Sequence, residues 1–177
     1  MTDTTHDAEN SASLRLARTM LLRELDSVRA SVEAYPDDGS IWKQVAGIAN
    51  VGGTLALHIA GNLRHFIGAL LGNTGYVRDR DAEFSARDLP RSELICRIDA
   101  ARIDVERTLQ GLPISTLSAN YPMPIADRIV RTGDFLFHLA SHLAYHLGQL
   151  DYHRRAVTGE GAQTVPALNP GLLPPVD

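Results

Sequence analysis

The sequence predicts an all-α protein, more specifically a four-helix bundle with one long crossover connection. In four stretches of about twenty residues, apolar residues recur every three or four positions, which is the period of an amphipathic helix. No stretch shows the apolar–polar alternation that is typical of a strand. With 177 residues, 44% of them hydrophobic, the chain is large enough for one domain with a substantial core.

The first two helices are predicted from their apolar faces and from the residues that begin and end them. Residues 1–10 are polar and acidic and are expected to form a flexible tail. The apolar residues within 11–34 share one helical face, so a helix is predicted there. Pro36 and the turn-forming residues after it end that helix. A second helix is predicted over residues 50–71, because it begins at an asparagine, a favourable N-cap residue, and Gly72 follows its end.

The second half of the chain contains a charged loop, two more helices and a long link. Residues 73–89 are charged and predict a loop, and a proline opens the helix predicted over residues 90–111. Residues 112–131 include three prolines and exceed the roughly two to eight residues that usually join bundle helices, so they indicate a crossover. The fourth helix begins at Thr132. Residues 159–177 are rich in proline and are expected to be an irregular tail, which leaves 11–158 as the folded domain.

The fourth helix carries four of the seven histidines on a band beside its leucines. His142 and His146 are four residues apart, so their rings leave the same helical face about 6 Å apart along the axis and can share one metal ion. His58 lies mid-way along the second helix, where an imidazole without a partner would be costly to bury. If the two helices are neighbours, His58 completes a three-nitrogen site with two of the three histidines at 138, 142 and 146. All three cannot bind one ion, because the outer two are ~12 Å apart along the axis.

Other polar residues are candidates for holding the ligand rings or for lining a pocket beside them. Those near the histidines on the same helices are Asn62, His65, His138 and Gln149, which are suited to hydrogen-bond and orient imidazoles. Arg78 and Arg80 in the charged loop either form salt bridges that hold the loop or line the mouth of a pocket.

Composition limits the classes of function. A net charge of −4 and a pI near 5.9 argue against nucleic-acid binding. A single cysteine, Cys96, excludes an internal disulfide and a cysteine-rich zinc site, so any metal must be held by imidazole and oxygen. The N-terminal residues lack the basic and apolar regions of a signal peptide, and no apolar run reaches the ~18 residues of a membrane span. A cytoplasmic protein that does not bind membranes is therefore expected.

Two segments, residues 58–84 and 138–155, resemble the DinB-like superfamily of metalloenzymes. The resemblance covers nearly all of residues 11–158, and its most specific part is the H-x-x-x-H-x-G-Q element that ends at Gln149. It implies one divalent metal ion bound by His58, His142 and His146, with His138 outside the site. It also implies zinc or nickel as the metal, with manganese and iron as further candidates, and frequent homodimerisation. Relatives that use low-molecular-weight thiols in S-transfer or isomerisation suggest such a thiol as a partner.

These observations favour a metal-dependent enzyme that acts on a small molecule. Three protein nitrogens with an open coordination position are typical of catalytic rather than structural zinc sites. Such a site supports either thiol S-transfer or hydrolysis, and the sequence does not choose between them. The alternative is a non-catalytic helical dimer stabilised by its metal, with a stress-related or interaction role.

Overall fold

The computed structural model describes residues 3–161 and 165–172. The predicted all-α class is confirmed, because these residues form helices and connections with only two isolated β-bridges and no sheet. The α-helices are α1 (Asp3–Glu33), α2 (Gly52–Leu63), α3 (Arg80–Ser85), α4 (Arg91–Gly111) and α5 (Thr132–Thr158). Among the described residues, no helix combines the length and the apolar character that a membrane span requires.

The first helix is longer than the sequence predicts. It begins at Asp3, so residues 3–10 are helical where the sequence predicts a flexible tail; residues 1–2 lie outside the described part. No proline or glycine occurs in residues 3–10, so no helix-breaking residue prevents the helix from extending to Asp3. The Nδ2 group of Asn10 also donates a hydrogen bond to Ser118 Oγ at 3.2 Å.

The second helix changes type half-way along. Its α-helical part ends at Leu63, and the chain continues as a π-helix over Arg64–Ala69, in which the backbone N–H of Leu70 donates to the carbonyl of His65 at 3.1 Å. The α-helical part starts at Gly52, two residues after the predicted start at Asn50. A π-helical segment takes one extra residue per turn and often adjoins a functional site.

Two connections and the C-terminal tail are more ordered than the sequence suggests. The charged loop of residues 73–89 contains α3, and the link of residues 112–131 contains a 3-10 helix at Ile114–Ser118. In the C-terminal tail two 3-10 turns form within residues 165–172, and the backbone N–H of Ala167 donates to Ser27 Oγ at 2.7 Å. The remaining residues of the predicted irregular tail, 162–164 and 173–177, lie outside the described part.

The four long helices bury their apolar faces against one another. Both α1 and α2 pack against α4 and α5, while α1 and α2 barely touch. The core draws on every predicted apolar stripe and includes Leu21, Leu25, Val28, Leu55, Ile59, Leu63, Leu94, Ile98, Leu109, Leu139, Leu143 and Leu150. Because α2 and α5 are neighbours, their histidine-bearing faces meet at the edge of this core.

Candidate metal centre

Three histidines from two helices converge on one point. His58 lies on α2, and His142 and His146 lie one turn apart on α5. One ring nitrogen from each of the three lies within 4.8 Å of those of the other two. The ring centroids are separated by 5.4 Å for the pair 58 and 142, 5.0 Å for 58 and 146, and 4.4 Å for 142 and 146. These are the residues that the resemblance assigns as ligands, and they could hold a metal ion.

The spacing of the two α5 rings suits a shared ion. The Nε2 atoms of His142 and His146 face each other at 3.0 Å. Two nitrogens that each lie ~2.0–2.1 Å from one ion in tetrahedral geometry are about 3.3 Å apart. The observed separation therefore needs only a few tenths of an ångström of adjustment, which a small rotation of either ring provides.

The ring of His58 is oriented by a buried carboxylate. Its Nδ1 lies 3.1 Å from Oε2 of Glu83, the closer of its two polar neighbours. Arg78 holds the same carboxylate through both oxygens, with Nε to Oε1 and Nη2 to Oε2 each at 2.7 Å. Although Arg78 Nη2 also lies 3.3 Å from His58 Nδ1, that guanidinium already donates to both carboxylate oxygens. With Nδ1–H donating to Glu83, the lone pair of His58 Nε2 is free for a metal ion.

Glu83 remains ionised although only 6% of its surface is exposed. Burial by itself raises the pKa of a carboxyl group. Here the hydrogen bonds from Arg78 and His58, together with their charges, outweigh burial, and the pKa of Glu83 lies below its ordinary value. An ionised carboxylate behind an imidazole strengthens the opposite ring nitrogen as a metal ligand.

A glycine on α2 makes room for this carboxylate. A Cβ atom added to Gly61 would collide with Oε1 of Glu83 and would lie 2.7 Å from its Cδ. Since Glu83 is held by Arg78 and by His58, its side chain has little freedom to move away. Gly61 therefore allows α3 to place a carboxylate directly against α2.

The ring of His146 is oriented from its own helix. Its Nδ1 lies 2.7 Å from Oε1 of Gln149, three residues further along α5. A glutamine oxygen can only accept, so Nδ1 carries the proton and Nε2 keeps its lone pair. Two of the three rings thus have a partner that directs Nε2 towards the common point.

The two α5 imidazoles are neutral at neutral pH, which is the form that binds metals. Burial, reinforced by the neighbouring histidines and by Arg78, lowers the pKa of His142 to about 4. Burial also lowers the pKa of His146; the hydrogen bond to Gln149 opposes this effect and the nearby His58 adds to it. These two imidazoles therefore need little proton release to accept a cation.

Among the other predicted residues, Asn62 and Gln149 lie beside the histidines. Gln149 contacts His146 as predicted. Asn62 is one turn after His58 on α2, is only 7% exposed, and its Oδ1 is buried without a hydrogen-bond partner. A buried carbonyl oxygen without a donor costs about 1–3 kcal/mol, so Asn62 Oδ1 would gain from a hydrogen bond donated by water or by a bound ligand.

Two predicted histidines lie outside the cluster. His65 lies in the π-helical segment and packs edge-on against Phe66, with ring centroids 4.8 Å apart. His138 is exposed, stacks on Phe135, and its ring centroid is 6.2 Å from that of His142.

The two loop arginines have different surroundings. Arg78 forms the predicted salt bridge within the loop, to Glu83, and reaches the histidines through that carboxylate; its place at the mouth of a pocket stays a prediction. Arg80 lies over the ring of Phe84, with Cζ 4.9 Å from the centroid, and that ring in turn packs against His58 at 5.0 Å. Arg80 therefore contacts the histidine cluster only indirectly, through the ring of Phe84.

The sequence places Glu83 in the same charged loop, with the same two possible roles as Arg78 and Arg80, a salt bridge or a pocket mouth, and does not predict its contact with His58. The available signal was a carboxylate close in sequence to Arg78, because histidines that bind metals commonly donate to a carboxylate.

Comparison of the chain with protein-family models, with curated proteins and with solved structures finds no match.

Proposed function

We propose that His58, His142 and His146 bind one divalent metal ion and that the protein is a metal-dependent enzyme acting on a small molecule. The observation that carries this proposal is the convergence of three imidazoles, two of which already have a partner that fixes the tautomer with Nε2 free. Both partners contact Nδ1, so the two Nε2 atoms remain available to one ion.

The donor set suggests the metal. Three imidazoles without a thiolate or a free carboxylate suit zinc or nickel, with iron and manganese as further candidates. Three protein ligands leave a coordination position for water or substrate, as in catalytic zinc sites. When bound, the ion would supply Lewis acidity, which acidifies a coordinated thiol or water molecule.

The residues around the cluster favour thiol S-transfer. Glu83 is committed to Arg78 and to His58, so among the described residues it is not free to act as a general base. A thiol needs less assistance than water to lose its proton, since its pKa starts about seven units lower. Asn62 Oδ1 would accept a hydrogen bond from the substrate. Hydrolysis is the second candidate, because the exposed ring of His138 lies beside His142 and could take a proton from water.

The proposal extends to the architecture and the partners. The pairing of α1 and α2 with α4 and α5 supports a four-helix bundle with residues 112–131 as its crossover, and with it membership of the DinB-like superfamily. On that basis we expect a homodimer in the cytoplasm, with a low-molecular-weight thiol as one substrate and without nucleic acid or membrane as a partner.

Metal analysis of the purified protein tests the proposal. The unmodified protein and the His65→Ala protein, whose histidine lies outside the cluster, should each contain about one equivalent of metal. The His58→Ala, His142→Ala and His146→Ala proteins should lose most of it. Full metal content in the His58→Ala protein would refute the assignment.

Activity screens separate the two enzymatic candidates from the non-catalytic alternative. The metal-loaded protein is screened for conjugation of thiols to electrophiles and for hydrolysis, with the His58→Ala protein as the blank. If chelation lowers the melting temperature strongly but neither activity depends on the histidines, the metal only stabilises the fold.

A further inference from the structure

A cleft of about 320 Å³ lies between the connection that precedes α2 and the second half of α5. Residues 47–50 line one side, Gln149 and Tyr152 line the other, and the buried side chain of Leu55 also contributes. No lining residue is charged. A charged group would lose water there without an ion-pair partner among the lining residues, so the interior of the cleft suits a neutral group.

The cleft is one helical turn from the histidine cluster on both helices. Leu55 precedes His58 by three residues on α2, and Gln149 follows His146 by three residues on α5, which places each about 4.5 Å away along its helix axis. Gln149 belongs to both places, because its Oε1 accepts the hydrogen bond from His146 while its side chain lines the cleft. The cleft and the histidine cluster thus share the side chain of Gln149, although no histidine of the cluster lines the cleft.

The orientation of Gln149 gives the cleft a hydrogen-bond donor. When His146 offers Nε2 to an ion, its Nδ1 carries the proton and Gln149 must present its oxygen to it. The amide NH2 group of Gln149 is then available to a ligand. The end of the cleft nearest the histidines can thus donate to an oxygen atom, while Leu55 and Ile48 provide apolar surface.

Tyr152 forms an aromatic rim to the cleft. Its side chain is 67% exposed, yet Arg155 lies over the ring with Cζ 5.0 Å from the centroid. Stacking on a guanidinium restricts the orientation of an otherwise exposed ring. The ring can therefore cover an apolar ligand in the cleft.

We propose that this cleft binds the non-reacting part of the substrate, and that this part is a neutral, largely apolar group joined to a carbonyl or ether oxygen. The oxygen accepts from Gln149, and the apolar chain lies against Leu55 and Ile48. This inference rests on the proposed function, since the reacting atom would lie at the histidines. In thiol S-transfer, the cleft takes the electrophile rather than the polar thiol.

Binding of a homologous series of methyl ketones, from butanone to octanone, tests the proposal. Each ketone is titrated into the metal-loaded and the metal-free protein, and the backbone amide signals of Gly47, Ile48 and Ala49 are followed by NMR. Because each buried methylene group adds a fixed increment of hydrophobic free energy, the Kd should fall about three- to four-fold per added methylene group.

Three variants locate the binding. Ala49→Trp should fill the cleft and abolish the shifts, while Ala46→Trp, at an exposed position of the same loop that does not line the cleft, should leave them unchanged. Gln149→Glu keeps an acceptor for His146 but lacks the NH2 donor, so it should weaken every ketone about five-fold without changing the dependence on chain length.

The outcomes separate this inference from the metal proposal. A Kd that is independent of chain length, or equal binding by the Ala49→Trp and Ala46→Trp proteins, overturns the cleft even if the histidines hold their metal. The expected ketone pattern in a protein whose metal content is unaffected by His58→Ala supports the cleft and refutes the metal site.

Discussion

Replacing Glu83 by glutamine should weaken metal binding although Glu83 is not itself a proposed ligand. Three donor contacts converge on its two oxygens: Nε and Nη2 of Arg78, each at 2.7 Å, and Nδ1 of His58 at 3.1 Å. Glutamine has one acceptor oxygen and one NH2 group, which is a donor. At least one N–H of Arg78 or His58 would therefore face that NH2 group and lose its hydrogen bond. His58 then loses either its fixed tautomer or the negative charge behind its ring.

The magnitude follows from the burial of the pair. Removing the hydrogen-bond partner of a histidine ligand typically lowers metal affinity about 10- to 100-fold. The side chains of Glu83 and Arg78 are 6% and 12% exposed, so the unpaired guanidinium is poorly compensated by water. Breaking a buried pair costs about 3–5 kcal/mol, and we expect the metal-free Glu83→Gln protein to lose stability near the lower end of that range.

The matched control is Glu93→Gln. Glu93 forms an ion pair with Arg97 at 2.8 Å, but the two side chains are 42% and 47% exposed, and such pairs contribute about 0–1 kcal/mol. Metal affinity is measured by competition with a chelator of known affinity, and stability by urea unfolding of the metal-free proteins. If the Glu83→Gln protein binds metal within two-fold of the unmodified protein and is as stable as the control, Glu83 does not act through His58.

Three further predictions test separate parts of the structure. Gly61→Ala should lower metal affinity about as much as Glu83→Gln, because the new Cβ displaces the carboxylate of Glu83. This loss should occur even though alanine is more favourable than glycine in a helix by about 1 kcal/mol. An unchanged metal affinity in chelator competition would show that Glu83 can move away freely. His138→Ala should keep its metal while His142→Ala loses it, as measured by metal analysis, and the reverse order would exchange their roles. Burial lowers the pKa of His153. As the pH falls below about 6.5, this histidine therefore takes up a proton in the unfolded chain but not in the folded one. The free energy of unfolding then falls with pH, by at most about 1.4 kcal/mol per pH unit for this group. The His153→Gln protein should lose less stability than the unmodified protein between pH 7 and 5 in urea unfolding, and parallel pH profiles would exclude this histidine as a source of acid sensitivity.

The helices, and the faces on which the histidines lie, were predictable because each depends on local periodicity, whereas the choice of His142 and His146 over His138 came from the family resemblance. Leucines at helical spacing identify the buried face of α5, and the spacing of His142 and His146 places both rings beside that face. The position of His58 among apolar residues indicates that its helix turns the ring inward. Two inward-facing imidazole bands meet once their helices are neighbours.

The remaining features depend on contacts between distant segments, which periodicity does not report. The sequence of residues 80–85 is charged and predicts a loop, but an Asp79 side chain that accepts from the backbone N–H of Ala82 caps a short helix there. The helical continuation of α1 to Asp3 and the π-helix at residues 64–69 likewise carry no distinctive sequence signal. The role of Glu83 depends on the packing of α3 against α2, so the closeness of this carboxylate to Arg78 in the sequence was not enough to identify it.

The proposed ligands lie on helices and the residues behind His58 lie on a loop, which has a consequence for how the metal affinity could be changed. All three imidazoles belong to long helices buried in the core, whereas the carboxylate and the guanidinium behind His58 both belong to the segment of residues 73–89. An exchange of that segment would alter the basicity of one nitrogen while leaving the positions of the other two unchanged. The fold thus separates the residues that would fix the position of a bound ion from those that would set how strongly one of its donors binds it, and a library confined to residues 73–89 would vary chiefly the second property.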